Sequence, residues 1–209
     1  MDDKMSKVKK IIKRILLLLL LMLVISIGYF GFKIRQNVQQ VVTYESEVER
    51  AVKENNIPEY KNLVLAIIYT ESKGKSDDLM QSSESAYGER QLIGSTKESI
   101  DTGVAFLAQS IEKANEAGCD IWTAVQAYNF GLDYIGFVKE RGGKNSVALA
   151  EEYSREILSP LLGNTEEKTY RYYRPQALVY NGGFLYSNGG NMFYADIVKM
   201  NQQFIKWLK

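Results

Sequence analysis

Any proton transfer in this chain must fall to carboxylates. The 209 residues contain no histidine and a single cysteine, Cys119. Ser-His-Asp and Cys-His nucleophilic machinery are thereby excluded, as are zinc sites built on imidazole. One cysteine makes neither an intrachain disulfide nor a thiolate cluster. The best placed carboxyl is Glu71. Counting back in fours reaches Ile67 and Leu63, so Glu71 continues a helix face that carries two apolar residues. A carboxyl at the end of a buried helix, against an apolar wall, loses hydration and its pKa rises. That is the requirement for a general acid working near neutral pH. The segment that follows adds Asp77, Asp78, Glu84 and Glu89. Cleaving a glycosidic bond needs an acid on the leaving oxygen, and a second carboxylate or a participating substrate group to meet the developing cation. On spacing alone an alternative stands, in which Glu71 ends a helix and points to solvent. Asp77 and Asp78 lack the spaced oxygen ligands of a calcium loop, so no metal or other cofactor is expected.

The elements that must position these groups read as mainly helical. Leu63 to Ile68 is continuously apolar, and Pro58 is well placed to open its helix. Residues 75–95 are rich in Ser, Gly, Asp and Glu without apolar period, a loop long enough to be functional. Residues 97–117 form an amphipathic helix with Ile100, Val104, Leu107 and Ile111 on one face, stopped by Gly118. Ile121–Phe130 is a second buried helix. Shorter helices follow at about 132–140 and 146–158, the latter closed by Pro160, and a last one at about 192–208. Ala177–Tyr180 and Phe184–Tyr186 flank Asn181-Gly182-Gly183, which predicts a small β-hairpin. The aromatic crowd around it (Tyr170, Tyr172, Tyr173, Tyr180, Phe184, Tyr186, Phe193, Tyr194) packs the hairpin on the helices or forms a sugar-stacking surface.

Ahead of this body lies a membrane anchor. Ile15 to Phe32 are 18 uncharged residues that include the run Leu16–Leu21. As a helix they reach about 27 Å, close to the hydrocarbon thickness of a bilayer. Six basic residues (Lys4, Lys7, Lys9, Lys10, Lys13, Arg14) precede the span, and only Lys33 and Arg35 follow closely. The positive-inside rule therefore places residues 1–14 in the cytoplasm and residues 33–209 outside. A signal peptide cleaved near Ser26 and Gly28 is the rival reading. Residues 33–55, polar with scattered valine, are expected to be a helical stalk, and residues 56–209 the folded domain. The net charge of +1 divides unevenly. Residues 1–44 carry +6, and the remaining 165 residues, with 18 basic and 23 acidic side chains, carry −5. An acidic body argues against nucleic acid as its ligand.

Three motifs resemble one family. Glu71-Ser72-Lys73-Gly74 looks like the E-S-x-G segment of soluble lytic transglycosylases and goose-type lysozymes, whose glutamate is the catalytic acid. Gln126-Ala127-Tyr128-Asn129-Phe130-Gly131 is similar to their A-Y-N-x-G segment, which lines the sugar groove. Asp78-Leu79-Met80-Gln81-Ser82-Ser83-Glu84-Ser85 matches a block of the lysozyme-like domain in Gram-positive bifunctional cell-wall hydrolases of conjugative elements and in pneumococcal vaccine antigen A proteins. The resemblance covers nearly the whole chain and implies a lysozyme-like fold behind one N-terminal transmembrane helix. It further implies a muramidase or lytic transglycosylase acting on peptidoglycan glycan strands, or a non-catalytic wall-binding protein that kept the fold. Carried over by position, Glu71 is the acid and Asp78 an acidic position implicated in lysis. Gln81, Ser82, Ser83 and Glu84 match groove residues, and Tyr128 and Asn129 the sugar-contacting pair. Without histidine the chain cannot support the cysteine peptidase that bifunctional members carry. Ala86–Thr96 departs from the family pattern. Expected partners are glycan strands, the membrane through residues 15–32, and an envelope-spanning protein complex.

Overall fold

Three helix starts are written in the sequence as capping side chains. Ser95 accepts from the Glu98 amide, Asp120 from Thr123 and Ser146 from Leu149, each satisfying an amide that the first helical turn leaves unpaired. The structure, a computed structural model, describes residues 2–82 and 94–209. In chain order it holds α1 (Asp2–Val42), α2 (Glu45–Glu54), a 3₁₀ turn (Pro58–Tyr60), α3 (Lys61–Glu71), α4 (Thr96–Glu116), α5 (Ile121–Phe130), α6 (Asp133–Lys139) and α7 (Val147–Tyr153). β1 (Thr169–Arg171), α8 (Pro175–Asn181), β2 (Phe184–Tyr186) and α9 (Tyr194–Leu208) complete it.

α3 is the central rod. Its residues Leu63–Tyr69 are all buried, as expected of an unbroken apolar run. It packs chiefly against α9, with α1 and α2 on other sides, while α4 and α5 pack together beside it. Each large aliphatic side chain buried here contributes about 1.5–3 kcal/mol of transfer free energy, so the rod is held from several directions at once. α4 buries the predicted face of Ile100, Val104, Leu107 and Ile111, and with it Ser99 and Gly103. The first part of the chain is long and apolar enough to cross a membrane, and Ile15–Phe32 stands clear of the rest with exposed side chains throughout.

The chain departs from the sequence reading in three places. The segment 33–55 is not a stalk outside the core. Val38, Val41, Val48, Ala51 and Val52 are buried to within 1% of their surface, because α1 runs unbroken into the domain and α2 folds back over α3 and α4. The two-stranded sheet is present, but its strands are β1 and β2, paired antiparallel with Tyr170 opposite Leu185. Residues 175–181 form a helix instead of a strand. Pro175 presets its first turn, and Gly182, left-handed at φ +79°, caps its end, while the Asn181 Oδ1 accepts from the Gly183 and Phe184 amides. Pro160 does not close its helix either. A π-helical turn over Ser154–Leu158 carries the chain on to Leu161.

Candidate active site

The C-terminal end of α3 delivers Glu71 to a point where α9, α5 and the segment 77–82 converge. Its Oε1 accepts a 2.5 Å hydrogen bond from the hydroxyl of Tyr194, the first residue of α9. Burial pushes the Glu71 carboxyl up to about 7; the Tyr194 bond works against this, and the nearby Asp78 charge adds to it. Glu71 nonetheless keeps part of its surface open. A carboxyl with this environment holds its proton near neutral pH and still reaches a ligand.

Tyr194 is itself locked in place. It is fully buried and stacks on Tyr128, with ring centroids 6.3 Å apart and planes 10° from parallel. Burial first, and then the charge of Glu71, hold its phenol well above its ordinary pKa, so it stays a donor. The turn that launches α9 is clamped by Gln126 from α5. The Gln126 amide donates to the Asn191 carbonyl at 2.9 Å and accepts from the Ala195 N–H at 3.1 Å. Further along, Asn201 donates to Thr70 at 2.9 Å, tying α9 to the turn of α3 that precedes Glu71.

The loop after α3 is built around Asp78 and Ser99. Asp78 is 7% exposed, and its Oδ1 accepts from the Ser99 hydroxyl at 2.7 Å and from the Ser82 amide at 3.0 Å. The same Ser99 oxygen accepts from the Met80 amide, and the Ser82 hydroxyl donates to the Ser99 carbonyl. Ser72 joins the helix end to the loop by donating to the Leu79 carbonyl at 2.8 Å. Gly103 makes the close approach possible, since a Cβ there would lie 2.7 Å from the Met80 sulfur.

The sequence-derived residues divide accordingly. Glu71, Asp78 and Tyr128 are brought together at this site. Tyr128, however, is buried, and its hydroxyl donates to the Met80 carbonyl at 3.0 Å, which makes it a support beneath the site. Ser82 is buried and belongs to the Asp78 network. Gln81 is exposed, in the left-handed region at φ +50°, with its side chain folded onto the Asp78 carbonyl. Asn129 is exposed; its Oδ1 accepts from the Asn191 amide, and among the described residues its amide nitrogen has no partner. Ser83, Glu84 and the Ala86–Thr96 departure fall wholly or largely outside the described residues. Sequence reasoning did not connect Tyr194 with Glu71, leaving it in an aromatic group that packs the hairpin or stacks on sugar, and it missed Ser99. A serine and a glycine four apart on a buried helix face, Ser99 and Gly103, were the available sign that a loop packs closely there.

The model of the lysozyme-like family matches residues 38–202, most of the chain and every residue of this constellation. The chain belongs to the lysozyme-like family. The matched span begins at Val38, the first α1 residue that the core swallows whole. Among relatives, the pneumococcal vaccine antigen A homolog of Streptococcus pyogenes serotype M1 is 46% identical over 193 residues, covering 92% of this chain and 96% of that protein. The bifunctional muramidase/DL-endopeptidase CwlT of Bacillus subtilis is 33% identical over 116 residues, covering 56% of this chain and 34% of that protein. A crystal structure from Staphylococcus aureus, described as similar to a lipoprotein of the NLP/P60 family, superposes with a TM-score of 0.71 at 34% identity. The match covers 78% of this chain and 52% of that one. Lysozyme-like membership supports a glycosidase-type activity on cell-wall glycan.

Proposed function

We propose that the protein cleaves the glycan strands of peptidoglycan between N-acetylmuramic acid and N-acetylglucosamine, with Glu71 as the general acid. The observation that carries this reading is the Glu71 carboxyl, raised to about 7 by burial at the end of α3 and held by Tyr194. At neutral pH a large fraction of Glu71 is protonated. It passes its proton to the bridging oxygen as the anomeric bond breaks, and the Tyr194 hydroxyl stabilises the carboxylate left behind. Asn129 offers its amide nitrogen to the sugar. Gln81, exposed on the segment that follows α3, is a second candidate contact. The length and composition of the span support a membrane anchor at Ile15–Phe32, and the positive-inside bias of the lysine-rich N-terminal tail supports an outward-facing domain.

The commitment of Asp78 to Ser99 and Ser82 favours a route in which the substrate supplies its own second group. On that route Asp78 orders the loop and raises the Glu71 pKa, while the 2-acetamido oxygen of the muramoyl sugar meets the developing cation. Water then gives a reducing end, or the sugar's 6-hydroxyl closes an anhydro end. Mass spectrometry of muropeptides released from purified peptidoglycan by the full chain in detergent tests the proposal. Muramoyl-terminated fragments, with reducing or anhydro ends, are the expected products. Intact strands would make the protein a wall-binding scaffold.

A further inference from the structure

α1 is one continuous helix from the apolar span into the domain core, and no hinge separates the two. Phe32 ends the uncharged stretch, and Val38 is already fully buried. Neighbouring residues of α1 are fastened to the end of the catalytic helix. The Gln40 amide donates to the Gly74 carbonyl at 3.1 Å, Tyr44 reaches the same carbonyl, and Lys75 donates to Asn37 at 2.8 Å. Gln39 also donates to the Leu208 carbonyl at the end of α9. The turn that follows Glu71 is therefore level with Asn37 and Gln40 of α1 and with Tyr44 just past its end. At about 1.5 Å per residue, Asn37 and Gln40 stand roughly 8 to 12 Å beyond Phe32 along the helix axis. The polar headgroup layer of a leaflet is itself about 5–8 Å deep. Cations stand between the span and the site although the body is acidic: Lys33 and Arg35 follow Phe32 on α1, Lys73 and Lys75 lie in the turn itself with the exposed Asp77 close behind, and Arg174 acts electrostatically on Lys73. Cations at that height suit a phosphate-rich membrane surface, where net negative charge would be repelled.

We propose that α1 is a rigid spacer holding Glu71 just above the headgroups, so that the substrate is the membrane-proximal end of a glycan strand still attached to its lipid phosphate carrier. The site cuts at a fixed height and leaves a short lipid-attached remnant. This rests on the glycosidase reading above.

The test uses the full chain in vesicles that also carry lipid-attached glycan strands. Helical inserts of seven and fourteen residues between Phe32 and Lys33 raise the domain by about 10 and 21 Å. A heptad returns the domain to nearly the same facing, within about 20°. The lipid-attached remnant is expected to lengthen stepwise with each insert, while the rate on purified, lipid-free peptidoglycan stays unchanged. Remnants of equal length with all three proteins overturn the spacer. So do lipid-attached strands left uncut by a protein that digests purified peptidoglycan. Failure of the unmodified chain on both substrates instead overturns the glycosidase reading on which the spacer depends.

Discussion

Tyr194→Phe isolates what the short bond to Glu71 does. Removing the hydroxyl leaves the ring stacked on Tyr128 and takes away one donor to the Glu71 carboxylate. Hydrogen bonds to charged groups contribute about 1.5–3 kcal/mol, and 1.36 kcal/mol corresponds to one pKa unit. In wild type the bond lowers the Glu71 pKa against burial, which wins and leaves it near 7. Without the bond the carboxylate loses its partner, and the Glu71 pKa rises by about 1–2 units. A general acid is active while protonated, so the alkaline limb of the kcat/KM profile, expected near pH 7 in wild type, should move up by that amount. At pH 6 the variant should be slower, because the carboxylate formed in the transition state has lost the donor that stabilised it. The assay is solubilisation of purified peptidoglycan by the full chain in detergent between pH 5 and 10. An alkaline limb that stays in place or moves down would refute the argument that Tyr194 sets the Glu71 proton affinity.

Other consequences follow from the same contacts. Glu71→Gln should stabilise the protein at high pH: a carboxyl whose folded pKa lies above its unfolded value of 4.5 opposes folding once pH exceeds both. The gain approaches about 3 kcal/mol at pH 8.5, reduced because Glu71 is partly open to solvent, and vanishes at pH 4; thermal melts at both values measure it. Ser99→Ala removes the donor to Asp78 and the acceptor of the Met80 amide inside a buried network. It should cost about 1–3 kcal/mol in denaturant melts and slow cleavage, since the loop beside Glu71 loosens. Gly103→Ala drives a methyl into Met80 and should cost about 1–3 kcal/mol; a companion Met80→Ala that relieves the cost confirms the contact.

How far the site could be read from the chain depends on whether its signals are local. The Glu71 position came from a three-residue ladder, Leu63, Ile67 and Glu71, whose register the helix enforces. α4 was legible for the same reason, and α5 from its unbroken apolar character, while their caps Ser95 and Asp120 emerged only in the structure. Tyr194 lies 123 residues from Glu71 and met it only through the packing of α9 on α3, which no periodicity reports. Asp78 was legible as a carboxylate close to Glu71, but its hydrogen bonds to Ser99 and Ser82 were not. A buried carboxylate looks identical in sequence whether it faces a sugar or a serine 21 residues away. The misreading of residues 33–55 has a different origin. Val38, Val41, Val48 and Val52 are spaced 3, 7 and 4 apart, a helical stripe thin enough to be lost among polar neighbours. The Asn181-Gly182-Gly183 run serves a hairpin turn or a helix end equally well, and Pro175 at a helical N-terminus decided between them.

The most direct test of the central claim is the rate of glycan cleavage by Glu71→Gln compared with wild type on purified peptidoglycan at pH 6. Glutamine keeps the shape of the side chain and an oxygen for Tyr194, but it has no acidic proton to give. The account predicts a fall of about 100-fold or more with the fold intact by circular dichroism. Cleavage by the folded variant within a few-fold of wild type would contradict it.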